Sequence, residues 1–429
     1  MSDNETDTKY TKETNPDSLE ELYEKLLNKS NFYRKNRKLL ISPMEKIEKI
    51  PLLNKYLNYE TIAKRIGDFY LKNLPNNSIN FTVENNIGTK IDFYGQEINY
   101  KTSVSLASFE SDLDIILDVW TIMGANPTIK TAMPTRRKGN KKPRIKPLEH
   151  GLINAMGLPG PSAKDIREKL MTSEFWKYKD KRMTLSIGGE NKDEYLKVFK
   201  TLYYENYSTD NKEPINLINA QYQKHVDFEI NVSCPNTGTG TAACDINQNG
   251  KYTNFKELLS GIREITGENS PPVYIKLSPD FENEKILNLV GICQEYKMGV
   301  VLGNTQSKEC SDLSVGKGGL SGPGLNERML ELVNLVNTNY KNVPIKACGG
   351  ISTAYDVLKA INAGADTVQM AYAVIEDPYS AIALTNLELS QFCKQNNYKS
   401  LDNFKKDTIE NRINKINTYA FRKKNENFI

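Results

Sequence analysis

The chain has 429 residues, and its 57 Lys and Arg nearly balance 53 Asp and Glu, which leaves a formal net charge of +4. Because no basic cluster is interleaved with aromatic side chains, nucleic acid is not expected as a partner. No apolar run approaches the ~18 residues of a membrane span, and the polar, acid-containing N-terminus does not resemble a secretion signal. These features predict a cytoplasmic protein without membrane insertion.

The first 80 residues differ in composition from the rest of the chain. Residues 1–17 are charged and have almost no large apolar groups, so they predict a disordered tail. Ser18 followed by Glu21 is a capping-box signal, and apolar side chains then recur at helical spacing. Residues 18–80 therefore predict a helical N-terminal extension.

From residue 81 to 400, short apolar runs alternate with helical patterns, and residues 401–429 predict a C-terminal helical tail. Strands are predicted at 103–108, 128–133, 182–187, 226–233, 272–278, 298–304, 343–348 and 367–373. Eight strand–helix units favour a TIM (β/α)8 barrel, an α/β fold. An open doubly wound sheet shares the local pattern, but the candidate chemical residues all follow strand ends, which converge on one mouth only in a barrel. The long connections 134–162 and 235–252 are expected to bind or cover a ligand.

The six cysteines lie far apart, with no C-x-x-C pair and no histidine at ligand spacing. This distribution predicts a reducing compartment and no metal site.

Residues 231–236, Asn-Val-Ser-Cys-Pro-Asn, end the predicted fourth strand. Asn231 and Asn236 bracket Cys234, so two amides that could orient a polar heterocycle flank a thiol that could accept a proton. A free cysteine is more often a buried, inert side chain, and the six residues alone leave that alternative open.

Two further features suit a bound anion. Gly349-Gly350 follows the predicted seventh strand and precedes a helix, where backbone N–H groups can hold a phosphate. A Gly-Gly pair alone more often forms a turn, but its position after strand seven favours the phosphate. Lys276 ends a buried strand, where its charge needs a partner.

The order and spacing of these motifs resemble the dihydroorotate dehydrogenase family over roughly residues 88–400. The matching segments are Lys130-Thr131, Asn154-Ala155-Met156-Gly157-Leu158-Pro159, residues 231–236, Lys276-Leu277-Ser278-Pro279, Gly303-Asn304-Thr305, Gly349-Gly350 and Gly364-Ala365-Asp366. The resemblance implies FMN-dependent oxidation of (S)-dihydroorotate to orotate in de novo pyrimidine biosynthesis. A hydride would pass to flavin N5 and a proton to Cys234.

The resemblance also assigns site residues. It implies flavin contacts from Ala107, Ser108, Lys130, Thr131, Asn231, Lys276, Gly303, Gly322, Gly349, Gly350, Ala371 and Tyr372. It implies substrate contacts from Lys130, Asn154, Met156, Gly157, Leu158, Asn231, Asn236, Asn304 and Thr305. Family members commonly have Thr where this chain has Ala371-Tyr372, so a hydroxyl contact to the phosphate is lost or is supplied by the tyrosine.

A cysteine at position 234 resembles the soluble class 1 enzymes, and Gly139-Asn140 with Pro143-Arg144 resembles the branch that uses fumarate. Residues 318–322 instead resemble the glycine loop of the membrane-associated class. The resemblance allows a homodimer, and NAD through a partner subunit stays open as the oxidant, as does a quinone. Two other functions are considered: pyrimidine reduction as in dihydropyrimidine dehydrogenase, whose cysteine-rich cluster domains are missing here, and a non-catalytic flavin-binding scaffold.

Overall fold

The computed structural model describes residues 85–113, 116–117, 121, 124–177, 181–204, 225–233, 242–245, 252–267, 270–378 and 380–426, with residues 24, 27–28, 30–33, 35 and 60. The predicted tail 1–17, most of the predicted extension 18–80 and most of the connection 235–252 lie outside these residues. Cys234 and Asn236 do as well. Among the residues described, no helix combines the length and the apolar character needed to cross a bilayer.

The strands, in chain order, are β1 (Thr89–Phe93), β2 (Gln96–Tyr100), β3 (Val104–Leu106), β4 (Thr128–Ala132), β5 (Ile145–Leu148), β6 (Gly151–Asn154), β7 (Met183–Ile187), β8 (Val226–Asn231), β9 (Val273–Leu277), β10 (Gly299–Leu302), β11 (Gln306–Glu309), β12 (Lys317–Ser321), β13 (Ile345–Cys348) and β14 (Thr367–Met370). The helices are α1 (Ala163–Met171), α2 (Lys192–Tyr203), α3 (Thr253–Thr266), α4 (Asn283–Glu295), α5 (Asn326–Asn339), α6 (Ala354–Ala363), α7 (Tyr372–Glu376), α8 (Ala381–Gln395), α9 (Leu401–Lys406) and α10 (Ile409–Glu426).

The main sheet has eight strands in the order β3-β14-β13-β10-β9-β8-β7-β4, and all neighbours are parallel. Asn126 joins the two end strands: its N–H donates to Val104 O at 3.1 Å, and its carbonyl accepts from Leu106 N at 3.0 Å. The sheet therefore closes into a barrel, and the TIM-barrel prediction is confirmed. Each of the eight predicted strands is present, although the eighth ends at Met370 rather than 373 because Ala371 precedes the short helix α7.

The hairpin β1–β2 packs across the N-terminal end of the barrel, and the sequence analysis did not predict it. Its two-residue turn, Tyr94-Gly95, has φ angles of 53° and 93°, as a type I′ turn requires. Phe93 and Tyr100 pack in one apolar cluster with Tyr274 and Val301 of the barrel interior. The hairpin thus forms a floor beneath the barrel.

The barrel strands have an apolar outer face and a polar inner face. Phe228 and Ile230 of β8 belong to the principal hydrophobic core, which includes the surrounding helices. The alternate residues Asp227, Glu229 and Asn231 form hydrogen bonds inside the barrel. Because side chains alternate along a strand, the six residues of β8 supply both the apolar core and the polar interior.

A second sheet lies at the C-terminal end of the barrel, with strand order β11-β12-β6-β5 and antiparallel pairing. Strands β5 and β6 lie within the predicted ligand-covering connection 134–162. Residues 318–322, interpreted from the sequence as a glycine loop, instead contribute most of β12. Gly318 permits this pairing because a Cβ there would lie 2.6 Å from Asn154 O.

The C-terminal helices and two described residues of the N-terminal region contact the barrel domain. Ile416 and Tyr419 of α10 join the principal core. Glu60 forms a two-pronged ion pair with Arg144, at 2.8 Å to Nε and 2.7 Å to Nη2. The Ser30 hydroxyl donates to the Asp377 carboxylate. The N-terminal region is therefore attached to the connection 134–162 and to the segment after α7.

Candidate active site

The Thr131 hydroxyl lies at the centre of a hydrogen-bond network at the C-terminal ends of the barrel strands. It is 2.8 Å from Ser108 Oγ and 3.0 Å from Ser186 Oγ, and it accepts from Asn231 Nδ2 at 3.1 Å. These residues come from β4, β7, β8 and the end of β3. The barrel thus brings the predicted residues Ser108, Thr131 and Asn231 together, with Ser186 as a link that the sequence analysis missed.

Ser233 extends this network to Asn304. Its hydroxyl donates to Asn231 Oδ1 at 3.0 Å and accepts from Asn304 Nδ2 at 2.8 Å. The Asn304 carbonyl oxygen accepts from Thr305 N at 2.8 Å, which fixes the amide orientation. Two of the predicted substrate amides are therefore linked through one serine, and Cys234 follows that serine directly in the chain.

Lys276 lies inside the barrel, only 3% exposed. Its Nζ donates to Gln369 Oε1 at 2.8 Å and lies 3.6 Å from Glu229 Oε1. Burial alone would lower the pKa of this ammonium, but the Cys348 sulfur, once ionised, and the Glu229 carboxylate outweigh burial and hold the pKa above its usual value. Lys276 is thus a buried charged group that contacts Gln369 and Glu229, rather than a solvated side chain at the end of a strand.

Glu229 connects Lys276 to the Thr131 network. Its Oε1 accepts from Ser186 Oγ at 3.0 Å, and its Oε2 accepts from Gln369 Nε2 at 2.6 Å. Polar contacts therefore run without a break from Ser108 through Thr131, Ser186 and Glu229 to Lys276. Sequence reasoning missed Glu229 and Gln369, although a charge and an amide inside buried strands were a visible signal.

A second charged cluster lies one layer lower in the barrel, above the hairpin floor. Asp227 accepts from Arg182 Nη2 at 2.6 Å, from Lys346 Nζ at 2.9 Å and from the Tyr100 hydroxyl at 2.5 Å. Burial would raise the pKa of Asp227, but Arg182 and Lys346 outweigh it and hold the pKa below its usual value. This cluster pairs one carboxylate with two cations and lies away from the mouth.

The segment 154–160 lies beside the mouth. Asn154 Nδ2 donates to Gly319 O at 3.2 Å, and Asn140 holds the segment through Met156 O at 3.0 Å and Ala155 O at 2.9 Å. Gly157 has φ 69°, and a Cβ there would lie 2.7 Å from Asn140 Oδ1. The predicted carboxylate-binding residues Met156, Gly157 and Leu158 thus belong to one turn, in which Leu158 also has a positive φ of 52°.

Lys130 lies between this segment and the first barrel strand. Its Nζ donates to Phe109 O at 3.1 Å, and a Cβ on Gly160 would lie 3.3 Å from its Cγ. Ala107, the other predicted residue at this strand end, is 6% exposed and packs in the apolar cluster of Tyr274. Both positions face the barrel interior, as flavin contacts would require.

Gly349-Gly350 forms the turn between β13 and α6, with φ angles of 130° and 69°. Asn326 Nδ2 donates to Gly350 O at 3.2 Å, and a Cβ on Gly350 would clash with Asn326 N. The Asp356 carboxylate accepts from Ser352 N and Thr353 N, both at 3.1 Å, so the helix's own acid takes two of the amides expected to bind an anion. The Ser352 hydroxyl is buried and has no hydrogen-bond partner among the described residues.

The remaining predicted cofactor residues lie at close backbone contacts or at the start of α7. A Cβ on Gly303 would clash with Cys348 O, and one on Gly322 would lie 2.8 Å from Gly151 Cα, so both glycines permit close packing of the backbone. Ala371 precedes α7 and Tyr372 begins it, instead of continuing the eighth strand. The eighth strand is shorter than predicted because the chain turns into this helix.

The model of the dihydroorotate dehydrogenase family matches residues 99–389, which contain the barrel strands and the network just described. The chain belongs to the dihydroorotate dehydrogenase family. The family resemblance drawn from the motifs is therefore confirmed, and with it the prediction of an enzyme.

The names of curated relatives in the dihydroorotate dehydrogenase family specify two different oxidants, fumarate and NAD⁺. A dihydroorotate dehydrogenase A (fumarate) from Lactobacillus helveticus is 30% identical over 264 residues, covering 59% of this chain and 76% of that protein. The catalytic subunit of a dihydroorotate dehydrogenase B (NAD(+)) from Bacillus mycoides is 31% identical over 264 residues, covering 58% and 74%. Identity alone does not separate the two branches.

A solved structure supports the fold of this dihydroorotate dehydrogenase family member. The Eimeria tenella dihydroorotate dehydrogenase, crystallised with ferulenol, superposes with a TM-score of 0.61 at 19% identity. The match covers 80% of this chain and 94% of the other. At this identity the likeness shows the fold alone.

Proposed function

We propose that this chain is an FMN-dependent enzyme that oxidises (S)-dihydroorotate to orotate and uses fumarate as the terminal oxidant. The observation that carries the proposal is the unbroken hydrogen-bond network that joins Ser108, Thr131, Asn231 and Lys276 at the barrel mouth. Amides, hydroxyls and one buried cation suit a flavin stacked against a planar pyrimidine.

The residues around the mouth fit FMN. The Gly349-Gly350 turn and the unpartnered Ser352 hydroxyl would hold the phosphate, which matches the phosphate position of this barrel type. Gly303, Gly322, Ala371 and Tyr372 would complete the phosphate side. The Lys276 ammonium would face the pyrimidine edge of the ring system, where negative charge develops. Ala107, Ser108, Lys130, Thr131 and Asn231 would line the ring at the ends of three strands.

The substrate side uses groups that both donate and accept hydrogen bonds. Asn231 and Asn304, linked through Ser233, would bind the ring carbonyl and N–H groups together with Asn154, Asn236 and Thr305. The backbone N–H groups of Met156, Gly157 and Leu158 would bind the carboxylate, with Lys130 near them. A pyrimidine that carries a carboxylate matches this set.

Oxidation breaks two C–H bonds of dihydroorotate and forms the C5–C6 double bond. When bound, FMN supplies the hydride acceptor for C6. Cys234 Sγ takes the proton from C5, and because an ordinary thiol has a pKa near ~8.5, it needs the charge-stabilising surroundings of the mouth to act at neutral pH. Asn231 and Asn304 would bind and orient the ring for this proton transfer.

Fumarate is proposed as the oxidant because Gly139-Asn140 and Pro143-Arg144 resemble the fumarate-using branch. In support, Asn140 contacts Ala155 and Met156, and Ala155 N donates to Arg144 O at 2.8 Å, so both motifs contact the segment 154–160. NAD through a partner subunit is the competing oxidant, since a relative of that type is 31% identical.

The test is orotate formation by the purified protein with fumarate, NAD⁺ and a soluble quinone supplied in parallel, after the released flavin has been identified. We expect FMN, and turnover with fumarate alone. Turnover only with a quinone would replace the oxidant, and a single orotate per flavin with all three would favour NAD⁺ through a partner subunit. Absence of orotate even in that single turnover would refute the reaction.

A further inference from the structure

Glu229 lies directly below Lys276, and both of its carboxylate oxygens are engaged. Oε1 accepts from Ser186 at 3.0 Å and lies 3.6 Å from the Lys276 ammonium, while Oε2 accepts from Gln369 at 2.6 Å. Neither carboxylate nor ammonium is in contact with bulk water, since Glu229 is 0% and Lys276 3% exposed. A carboxylate buried this deeply is costly unless it is paired with a cation and hydrogen-bonded.

Gln369 shows how Glu229 controls the position of Lys276. An ionised carboxylate only accepts hydrogen bonds and an ammonium only donates them, so a glutamine between the two has one favourable orientation. Its Nε2 donates to Glu229, which leaves Oε1 to accept from Lys276 at 2.8 Å. A reversed amide would present N–H groups to the ammonium, so Glu229 and Lys276 together fix this orientation.

The groups that face Lys276 identify Glu229 as its counterion. Around the ammonium are Glu229 on β8, Cys348 on β13 and Gln369 on β14, and Tyr274 precedes it by two residues on β9. In the layer below, Asp227 is already paired with Arg182 and Lys346. Burial raises the pKa of the Cys348 thiol, so that thiol is a weak source of negative charge. Glu229 is therefore the nearby carboxylate with charge to offer.

We propose that Glu229 is a positioning residue that keeps the Lys276 ammonium charged and aligned through Gln369 before any hydride is transferred. This inference rests on the proposed function only in that it places the flavin ring over Lys276. Its consequence concerns protons: with Glu229 present, Lys276 is protonated in both flavin oxidation states and takes up no proton on reduction. Without Glu229, a buried lysine beside a neutral oxidised flavin loses its proton and regains it when the flavin becomes anionic.

The experiment measures the flavin midpoint potential of the FMN-loaded protein against pH, from about pH 6 to pH 9, for wild type and Glu229→Gln. One extra proton taken up per two electrons steepens the slope by about 30 mV per pH unit. We expect this steepening in the alkaline part of the range for Glu229→Gln. A wild-type slope throughout would overturn the proposal.

Three further variants test whether Lys276 takes up the extra proton and whether Glu229 supplies the negative charge that prevents this. Lys276→Met combined with Glu229→Gln should remove the steepening, and its persistence would assign the proton to another group and overturn the proposal. Asp227→Asn, which neutralises the other buried carboxylate of β8, should keep the wild-type slope; a slope as steep as that of Glu229→Gln would overturn the assignment. If Glu229→Gln does not fold, Glu229→Asp is used instead. Its shorter side chain moves the carboxylate away from Lys276, so the slope should be steeper than that of wild type. An unchanged slope would overturn the proposal.

Chemical reduction with redox dyes is used throughout rather than dihydroorotate. A protein that fails to oxidise dihydroorotate would therefore refute the proposed substrate while the slope still reports on Glu229 and Lys276.

Discussion

Asp227 and Glu229 are both fully buried and lie two residues apart on one strand, yet their surroundings differ. Asp227 accepts from Arg182, Lys346 and Tyr100, all within 2.9 Å, in a cluster closed by the hairpin floor. Among the described residues, Glu229 has one cation, the Lys276 ammonium at 3.6 Å. Gln369 accepts a hydrogen bond from the same ammonium, which lies at the mouth. A buried charge surrounded by its partners therefore stabilises the fold, whereas a buried charge that supports a cation at the mouth supports the site.

The largest effect on stability is expected from Asp227→Asn. Removing this charge leaves Arg182 and Lys346 buried without a counterion, which should lower the free energy of unfolding by about 3–5 kcal/mol. Urea denaturation measures the loss, and a protein of ordinary stability, about 5–15 kcal/mol, would still fold. A loss below about 1 kcal/mol would contradict the structural role of the lower cluster.

Cys234→Ala should have the largest effect on chemistry with little effect on the fold. Without the thiol base, anaerobic flavin reduction by dihydroorotate should slow by ~10²-fold or more while FMN is retained. Cys234→Ser should keep a residual rate that rises with pH, because a hydroxyl is harder to ionise. Stopped-flow absorbance measures both rates, and a wild-type rate in the alanine variant would eliminate Cys234 as the base.

Lys276→Ala should act on the cofactor more than on the fold. Losing the cation beside the developing negative charge should make the flavin harder to reduce, by on the order of tenfold in the equilibrium constant, and should weaken FMN retention. Dye-equilibrated potentials and equilibrium dialysis provide the two measurements. An unchanged potential would place Lys276 away from the flavin.

Glu60→Gln extends the comparison to a half-buried carboxylate and should have the smallest effect. Its ion pair with Arg144 anchors the connection whose residue Ala155 donates its N–H to Arg144 O at 2.8 Å. Losing the charge-assisted pair should raise KM for dihydroorotate roughly fivefold with little change in kcat, equivalent to about 1 kcal/mol. Glu97→Gln, which breaks the exposed pair with Lys90, is the control and should leave KM unchanged. Equal KM values for Glu60→Gln and Glu97→Gln would show that Glu60 has no part in holding the segment proposed to bind substrate.

The sequence predicted what local patterns determine. The apolar outer faces of the strands predicted all eight barrel strands, and Gly364, which belongs to one of the matching motifs, ends α6 with φ 122°. The hairpin was missed because Tyr94-Gly95 lacks the usual Asn-Gly signal. The four-stranded sheet was missed because β6 pairs with β12, more than 150 residues away. Glu229 and Gln369 were missed because the inner face of a barrel exists only once distant strands meet.

The most direct test of the central claim, that the barrel mouth oxidises dihydroorotate, is a single anaerobic turnover. Dihydroorotate is mixed with the purified FMN-loaded protein in the absence of any other oxidant, and flavin absorbance and orotate are measured together. We expect complete bleaching of the flavin with one orotate formed for each flavin reduced. A bound flavin that stays oxidised in excess dihydroorotate would contradict the proposed reaction.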